Sequence, residues 1–183
     1  MNYSDFPNFP GDIHTHHERP DAIVNAEVGD TLQPGITYSL GVHPWNAETW
    51  SDDTARRLAA QAADPRVLAI GEAGLDKLRG PSMEVQTHAF EAQARIADEL
   101  GKPLIIHCVR AFNELMAIKR AMRPRVPWIV HGFRGKPQLA RQLLDAGFHL
   151  SLGSRHNPDT ARLLADHPSR LLRETDEDTA RWW

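Results

Sequence analysis

Cysteine is almost absent from this chain: Cys108 is the only one in 183 residues, which excludes a disulfide framework. Long apolar runs are absent as well. None approaches the roughly 20 residues that cross a bilayer, so no membrane-spanning role is expected. The opening residues, MNYSDFPNFPGD, carry neither the basic region nor the apolar stretch of a secretory signal, and the expected compartment is the cytoplasm. Neither sign of charge dominates: 21 Lys and Arg stand against 24 Asp and Glu, a formal charge of −3 that argues against a broad DNA-coating surface. A nucleic acid would have to be gripped by a few local arginines at its end. Internal repeats, linkers and low-complexity stretches are also missing, and the length suits one domain over residues 1–183 with a single sizeable core.

What is present is an alternation. Apolar spacing and end signals mark helices over Glu48 to Asp64, Glu84 to Gly101, Ala111 to Met122, Lys136 to Gly147 and Pro158 to His167. Asn157 supplies a capping side chain ahead of a first-turn proline, and Gly101 and Gly147 follow their helices where a left-handed residue is wanted. Between them, apolar or β-branched runs mark eight strands: Gly11 to His16, Ala22 to Glu27, Ile36 to His43, Val67 to Glu72, Leu104 to Val109, Trp128 to Phe133, His149 to Gly153 and Leu171 to Asp176. From the third strand onward strands and helices alternate, which implies an α/β fold with a parallel sheet, and eight such strands close most naturally as a barrel. Arg19 to Asp21 and Val28 to Gly35 are too short to hold helices, and little follows the last strand. The expected architecture is therefore a trimmed (β/α)8 TIM-type barrel lacking helices after strands 1, 2 and 8. Those absences are neighbours around the barrel and would leave one wall bare. A bare apolar wall usually finds a partner, so a homodimer through this side, with Trp182 and Trp183 folded over it, is the expectation.

The sharpest chemical signal is Asp12-Ile13-His14-Thr15-His16, because alternate strand residues face the same side and two imidazoles at a strand end clamp a metal ion. Other expected strands also finish in ligand-type residues: Glu72, His107, His131 and Asp176. In a parallel barrel the C-terminal strand ends share one face, where such barrels place their active sites. Any one of these residues reads equally well as a solvated strand-end group; the joint pattern does not.

Six stretches, DIHTHH, GVHPW, AIGEAGLD, KPLIIHCVRA, VHGFRG and RETD, occur in an order that resembles the TatD-type deoxyribonuclease family of the amidohydrolase superfamily. The resemblance implies a metal-dependent hydrolase acting on ester bonds. It assigns metal ligation to His14, His16, Glu72, His107, His131 and Asp176. The segments after GLD and after ETD depart from the family pattern, and the chain looks like a shortened branch of it.

Physically, His14, His16 and Asp176 would hold one divalent ion, His107 and His131 a second, with Glu72 bridging, and Mg, Mn and Zn all suit such mixed ligation. Asp176 would take the proton of the attacking water, making Asp176 and Glu72 the catalytic pair. Arg110, Arg134 and Arg155 lie just past strand ends and would rim the pocket for phosphate, unless each is engaged in a surface salt bridge. His43 in GVHPW is a further substrate-binding candidate. His17 is expected to face away, His88, His149, His156 and His167 to be solvated, Cys108 to be a buried thiol, and Asp76 to orient a ligand histidine. The expected partner is a DNA end or small phosphoester. Two other readings stay open: an amide or carboxylic-ester hydrolase using the same site, and a non-catalytic metal-holding barrel that serves as a binding partner.

Overall fold

A computed structural model of the chain describes residue 6 and residues 8–183. Eight strands pair in chain order, every pair parallel: β1 (Asp12–Thr15), β2 (Ala22–Glu27), β3 (Thr37–Gly41), β4 (Val67–Asp76), β5 (Leu104–Val109), β6 (Trp128–Val130), β7 (His149–Leu152) and β8 (Leu171–Arg173). The circle closes just past β8, where Asp176 bridges Thr15 and exchanges backbone hydrogen bonds with His14 O (3.0 Å) and His16 N (3.1 Å). Asp176 adopts a left-handed backbone (φ 55°), which a short polar side chain tolerates better than most.

Five helices follow β3 to β7: α1 (Asp52–Gln61), α2 (Met83–Leu100), α3 (Phe112–Met122), α4 (Pro137–Asp145) and α5 (Pro158–Ala165). The first departs from expectation. Instead of one helix from Glu48, a 3-10 segment (Pro44–Thr49) ends at an extended Trp50, and Ser51 starts α1 anew by accepting a hydrogen bond from Thr54 N at Oγ. Among the described residues no helix follows β1, β2 or β8, so the trimmed barrel is as expected. Nor, among the described residues, is any helix long and apolar enough to cross a membrane.

The core has two parts. Inside the barrel, Ile13, Ile23, Ala69, Ile105, Ile129 and Leu172 form a layer below the C-terminal strand ends, and Phe6 packs against it. Outside, Phe90, Trp128, Phe148 and other side chains fill the space between strands and helices. Each large aliphatic side chain so buried contributes about 1.5–3 kcal/mol.

Two expectations fail here. The wall lacking helices is not bare: Ala22, Val24 and Ala26 of β2 are at most 7% exposed, with Val28, Leu32 and Ile36 of the following loop packed on the same cluster. On β1, Asp12 and Thr15 are fully buried, and the C-terminal segment ties across, with Arg181 bonded to Asp21. Among the described residues there is therefore no exposed apolar wall of the kind that motivated a homodimer. Trp182 packs on His156 and donates its Nε1 hydrogen to Glu174 O, leaving Trp183 the more exposed of the two. His149 is not solvated either: as the first residue of β7 it is 3% exposed, edge-on to Phe6.

Candidate functional site

The ligand-type residues converge at the C-terminal end of the barrel, though at different points along their strands. His107 lies inside β5, His131 one residue past β6, and Asp176 three past β8. Glu72 does not end its strand. β4 continues to Asp76, and its pairing with β5 slips between Ile70 and Ala73 in a local bulge that carries Glu72 to the middle of the site. Gly71 there has φ 133° and an added Cβ would sit 2.4 Å from Ile105 O, so only glycine fits.

Glu72 is the centre. One carboxylate oxygen, Oε2, faces His14 Nε2 (3.4 Å) and His16 Nε2 (3.7 Å). The other, Oε1, faces His107 Nδ1 and His131 Nε2 (2.8 Å each) and His43 Nε2 (3.2 Å). Asp176 Oδ1 lies 3.8 and 3.7 Å from His14 and His16 Nε2. The donor atoms of His14, His16 and Asp176 lie within 4.8 Å of one another, as do those of His14, Glu72 and His131, and of His43, Glu72 and His107. All six expected ligands thus come together. His43, assigned to substrate by sequence reasoning, stands among them.

Carboxylates also back two of the histidines. Asp76 Oδ2 lies 3.2 Å from His107 Nε2, the orienting contact expected of it, and is itself held by Trp45 Nε1 (2.7 Å) and the backbone of Leu78 and Arg79. Glu174 Oε1 lies 3.3 Å from His131 Nδ1. Sequence reasoning missed Glu174; its only signal is its place two residues before Asp176. It missed Asn25 too, whose Oδ1 accepts the Glu72 backbone N–H at 2.9 Å, and Gln86, which from α2 pins both the N–H and the carbonyl of Asp76.

Burial alone would raise the Glu72 carboxyl, but positive charge on His131 and hydrogen bonds from His107 and His131 hold it well below its usual range. Burial opposes a charge on His131, yet Glu72 and Glu174 raise its affinity for a proton well above the ordinary value. His16 is lowered, chiefly by burial and the nearby His14. Two buried carboxylates around one imidazole make this a place that favours a cation. The fully buried His14 has no well-aligned hydrogen bond at either ring nitrogen, and its Nε2 points between Glu72 and Asp176. An unpartnered imidazole nitrogen aimed between two carboxylates, in a set of histidine and carboxylate donors, fits a divalent metal ion.

Two clefts open on the cluster and share Trp45, His107, His131 and Asp176 as a common wall. The larger, about 650 Å³, is lined by Arg110, Arg134 and Arg155 as expected, and by Arg79, which sequence reasoning passed over. Arg79 stacks over the Trp45 ring at 4.7 Å. None of the four makes an ion pair among the described residues, so the salt-bridge alternative is not realised. The smaller, about 430 Å³, is lined by Glu27, Asp30 and Glu177 beside His16 and Glu72. His17 turns away to Glu177 O. Cys108 faces the larger cleft, and burial pushes its thiol up to about 12, too high for a thiolate nucleophile near neutral pH.

A parallel barrel with a histidine and carboxylate cluster at the C-terminal strand ends defines a class of metal-dependent hydrolase scaffolds. Comparison with known proteins is more specific. The family described as TatD related DNase matches residues 13–179, and the chain belongs to that family. It is 39% identical over 150 residues to the 3'-5' ssDNA/RNA exonuclease TatD of Cronobacter turicensis, covering 78% of this chain and 57% of that protein. The protein of the same name from Citrobacter rodentium is 40% identical over 151 residues, with the same coverage. The chain thus spans less than three-fifths of these curated relatives. The crystal structure of YJJV, a TatD homolog from Escherichia coli K12, superposes with a TM-score of 0.72 at 27% identity over 91% of this chain and 78% of that one.

Proposed function

We propose that the chain is a divalent-metal-dependent phosphodiesterase that removes nucleotides from the end of a single-stranded nucleic acid, the activity its relatives' names carry. One observation supports this above the rest: the ligand cluster opens directly onto a cleft lined by four arginines that make no ion pair among the described residues. Guanidinium forks match phosphate oxygens, whereas an amide or carboxylic-ester substrate would leave four such groups with nothing to hold.

In this reading His14, His16, Asp176 and Glu72 Oε2 would hold one divalent ion, and His107, His131 and Glu72 Oε1 another, Mg, Mn or Zn. A divalent ion held there supplies positive charge for the phosphoryl oxygens and makes water more acidic. Asp176, partly open to solvent beside His14 and His16, accepts the proton of the attacking water at its carboxylate. Asp76 and Glu174 keep His107 and His131 aimed at Glu72. The arginines orient the phosphodiester, and Trp45 walls both clefts against the bases.

The test is shortening of end-labelled single-stranded DNA by metal-stripped protein refilled with Mg, Mn or Zn, with Asp176→Asn in parallel. Metal-dependent stepwise shortening that falls by more than about 10²-fold in the variant is expected. Bound metal without any shortening would contradict the nuclease reading.

A further inference from the structure

The two clefts carry opposite charge, and the cluster stands at their boundary. On one side are Arg79, Arg110, Arg134 and Arg155. On the other are Glu27, Asp30 and Glu177, all exposed and, among the described residues, none paired with lysine or arginine; the one charged contact among them there is Glu177 Oε1 at 3.7 Å from His16 Nε2. The floor of this acidic side is Glu72 and Asp176, between which the fully buried His14 points its unpartnered Nε2. A polyanion cannot lie equally across both sides. A phosphodiester chain is attracted along the arginines, and each further phosphate past the cluster meets three carboxylates.

We propose that this charge division reads the end group of the strand: the arginine side holds the phosphodiester backbone, and the acidic side admits a terminal nucleoside ending in a hydroxyl while rejecting one ending in a phosphate. The proposal rests on the nuclease reading above. Its chemistry is that of acceptors. Ionised carboxylates accept hydrogen bonds and cannot donate them, so Glu27, Asp30 and Glu177 suit a terminal hydroxyl, which donates one. A terminal phosphate brings close to two negative charges and no matching donor. Asn46, lining the same side, adds an amide able to meet a sugar or base.

The experiment compares two 5'-labelled single-stranded oligodeoxynucleotides of one sequence, ending in a 3'-hydroxyl or a 3'-phosphate, with the manganese-loaded full chain. The hydroxyl-ended strand is expected to be shortened at least about tenfold faster at low salt, with the ratio shrinking as salt is added. Glu177→Gln, and the triple variant with Glu27→Gln and Asp30→Asn, are expected to bring the ratio of the two rates toward one in steps. All three positions are exposed, so folding is checked simply by circular dichroism. Equal rates on both strands with the unaltered chain would overturn the proposal while leaving the nuclease reading intact. A ratio unmoved by the triple variant would overturn the assignment to these carboxylates. Failure to shorten either strand would overturn the parent reading and the proposal with it.

Discussion

His107 and His131 each stand between two carboxylates, Glu72 in front and Asp76 or Glu174 behind, while His14 and His16 face Glu72 and Asp176 with no carboxylate bonded behind them. The two halves also differ in their access to water. The Asp76 and Glu174 side chains are 3% and 0% exposed, whereas those of His16 and Glu177 are 33% and 66% exposed. One half is built from β4, β5 and the residues directly after β6 and β8, and is buttressed from α2 by Gln86; the other hangs from the short β1, the residue after it and Asp176, three residues past β8. A histidine whose outer nitrogen donates to a carboxylate has its ring orientation set before an ion arrives, and keeps the proton on that outer nitrogen once the ion displaces the other. In our account the buttressed half would therefore hold a divalent ion tightly and the open half one loosely, with Asp176 on the side nearer solvent.

Removing the buttresses should have the largest effect on this difference. In Glu174→Gln, and separately in Asp76→Asn, the affinity of the tighter position for manganese, measured by competition with a chelator, should drop by about 10- to 100-fold. The looser position should change far less. Nitrogen NMR of the imidazoles in the metal-free protein should show His131 giving up its proton at lower pH in Glu174→Gln, a change that a general loss of stability would not produce. Equal weakening of both positions would erase the distinction between the halves. A smaller effect is expected for His16→Asn, which should remove the loose uptake, leave the tight uptake within about threefold, and cost the metal-free protein less than about 1 kcal/mol because the side chain is partly exposed.

Much of this was legible in the sequence, for reasons that differ by residue. The barrel follows from the regular return of β-branched runs between capped helices, a pattern set by local periodicity and therefore readable locally. His14 and His16 announce themselves by their spacing, and Glu72, His107, His131 and Asp176 by recurring at the ends of apolar runs. Glu174 gives no such sign: one residue past β8 and fully buried, it looks like any other glutamate until His131, 43 positions away, is seen beside it. The extension of β4 past Glu72 was hidden because the expected strand stopped at its ligand-type residue, and Gly71 and Gly74 on either side of it gave no sign of continued pairing. In the fold they permit a bulge and the close approach of His107 O to Gly74, where an added Cβ would lie 1.9 Å away. The covered wall at β1 and β2 was hidden for the opposite reason. Loops without periodicity, Val28 to Gly35 and the residues after β8, do the work that helices do elsewhere in the barrel, and their packing depends on contacts far apart in the chain.

The central claim is that Glu72 organises a two-part metal centre, and calorimetric titration of manganese into metal-stripped protein, alongside Glu72→Gln, tests it most directly. The account predicts two uptake steps of unequal affinity in the unaltered chain and the loss of both in the variant, because one carboxylate faces every histidine of the cluster. Uptake in Glu72→Gln indistinguishable from that of the unaltered chain would contradict it, as would a chain that takes up no ion at all.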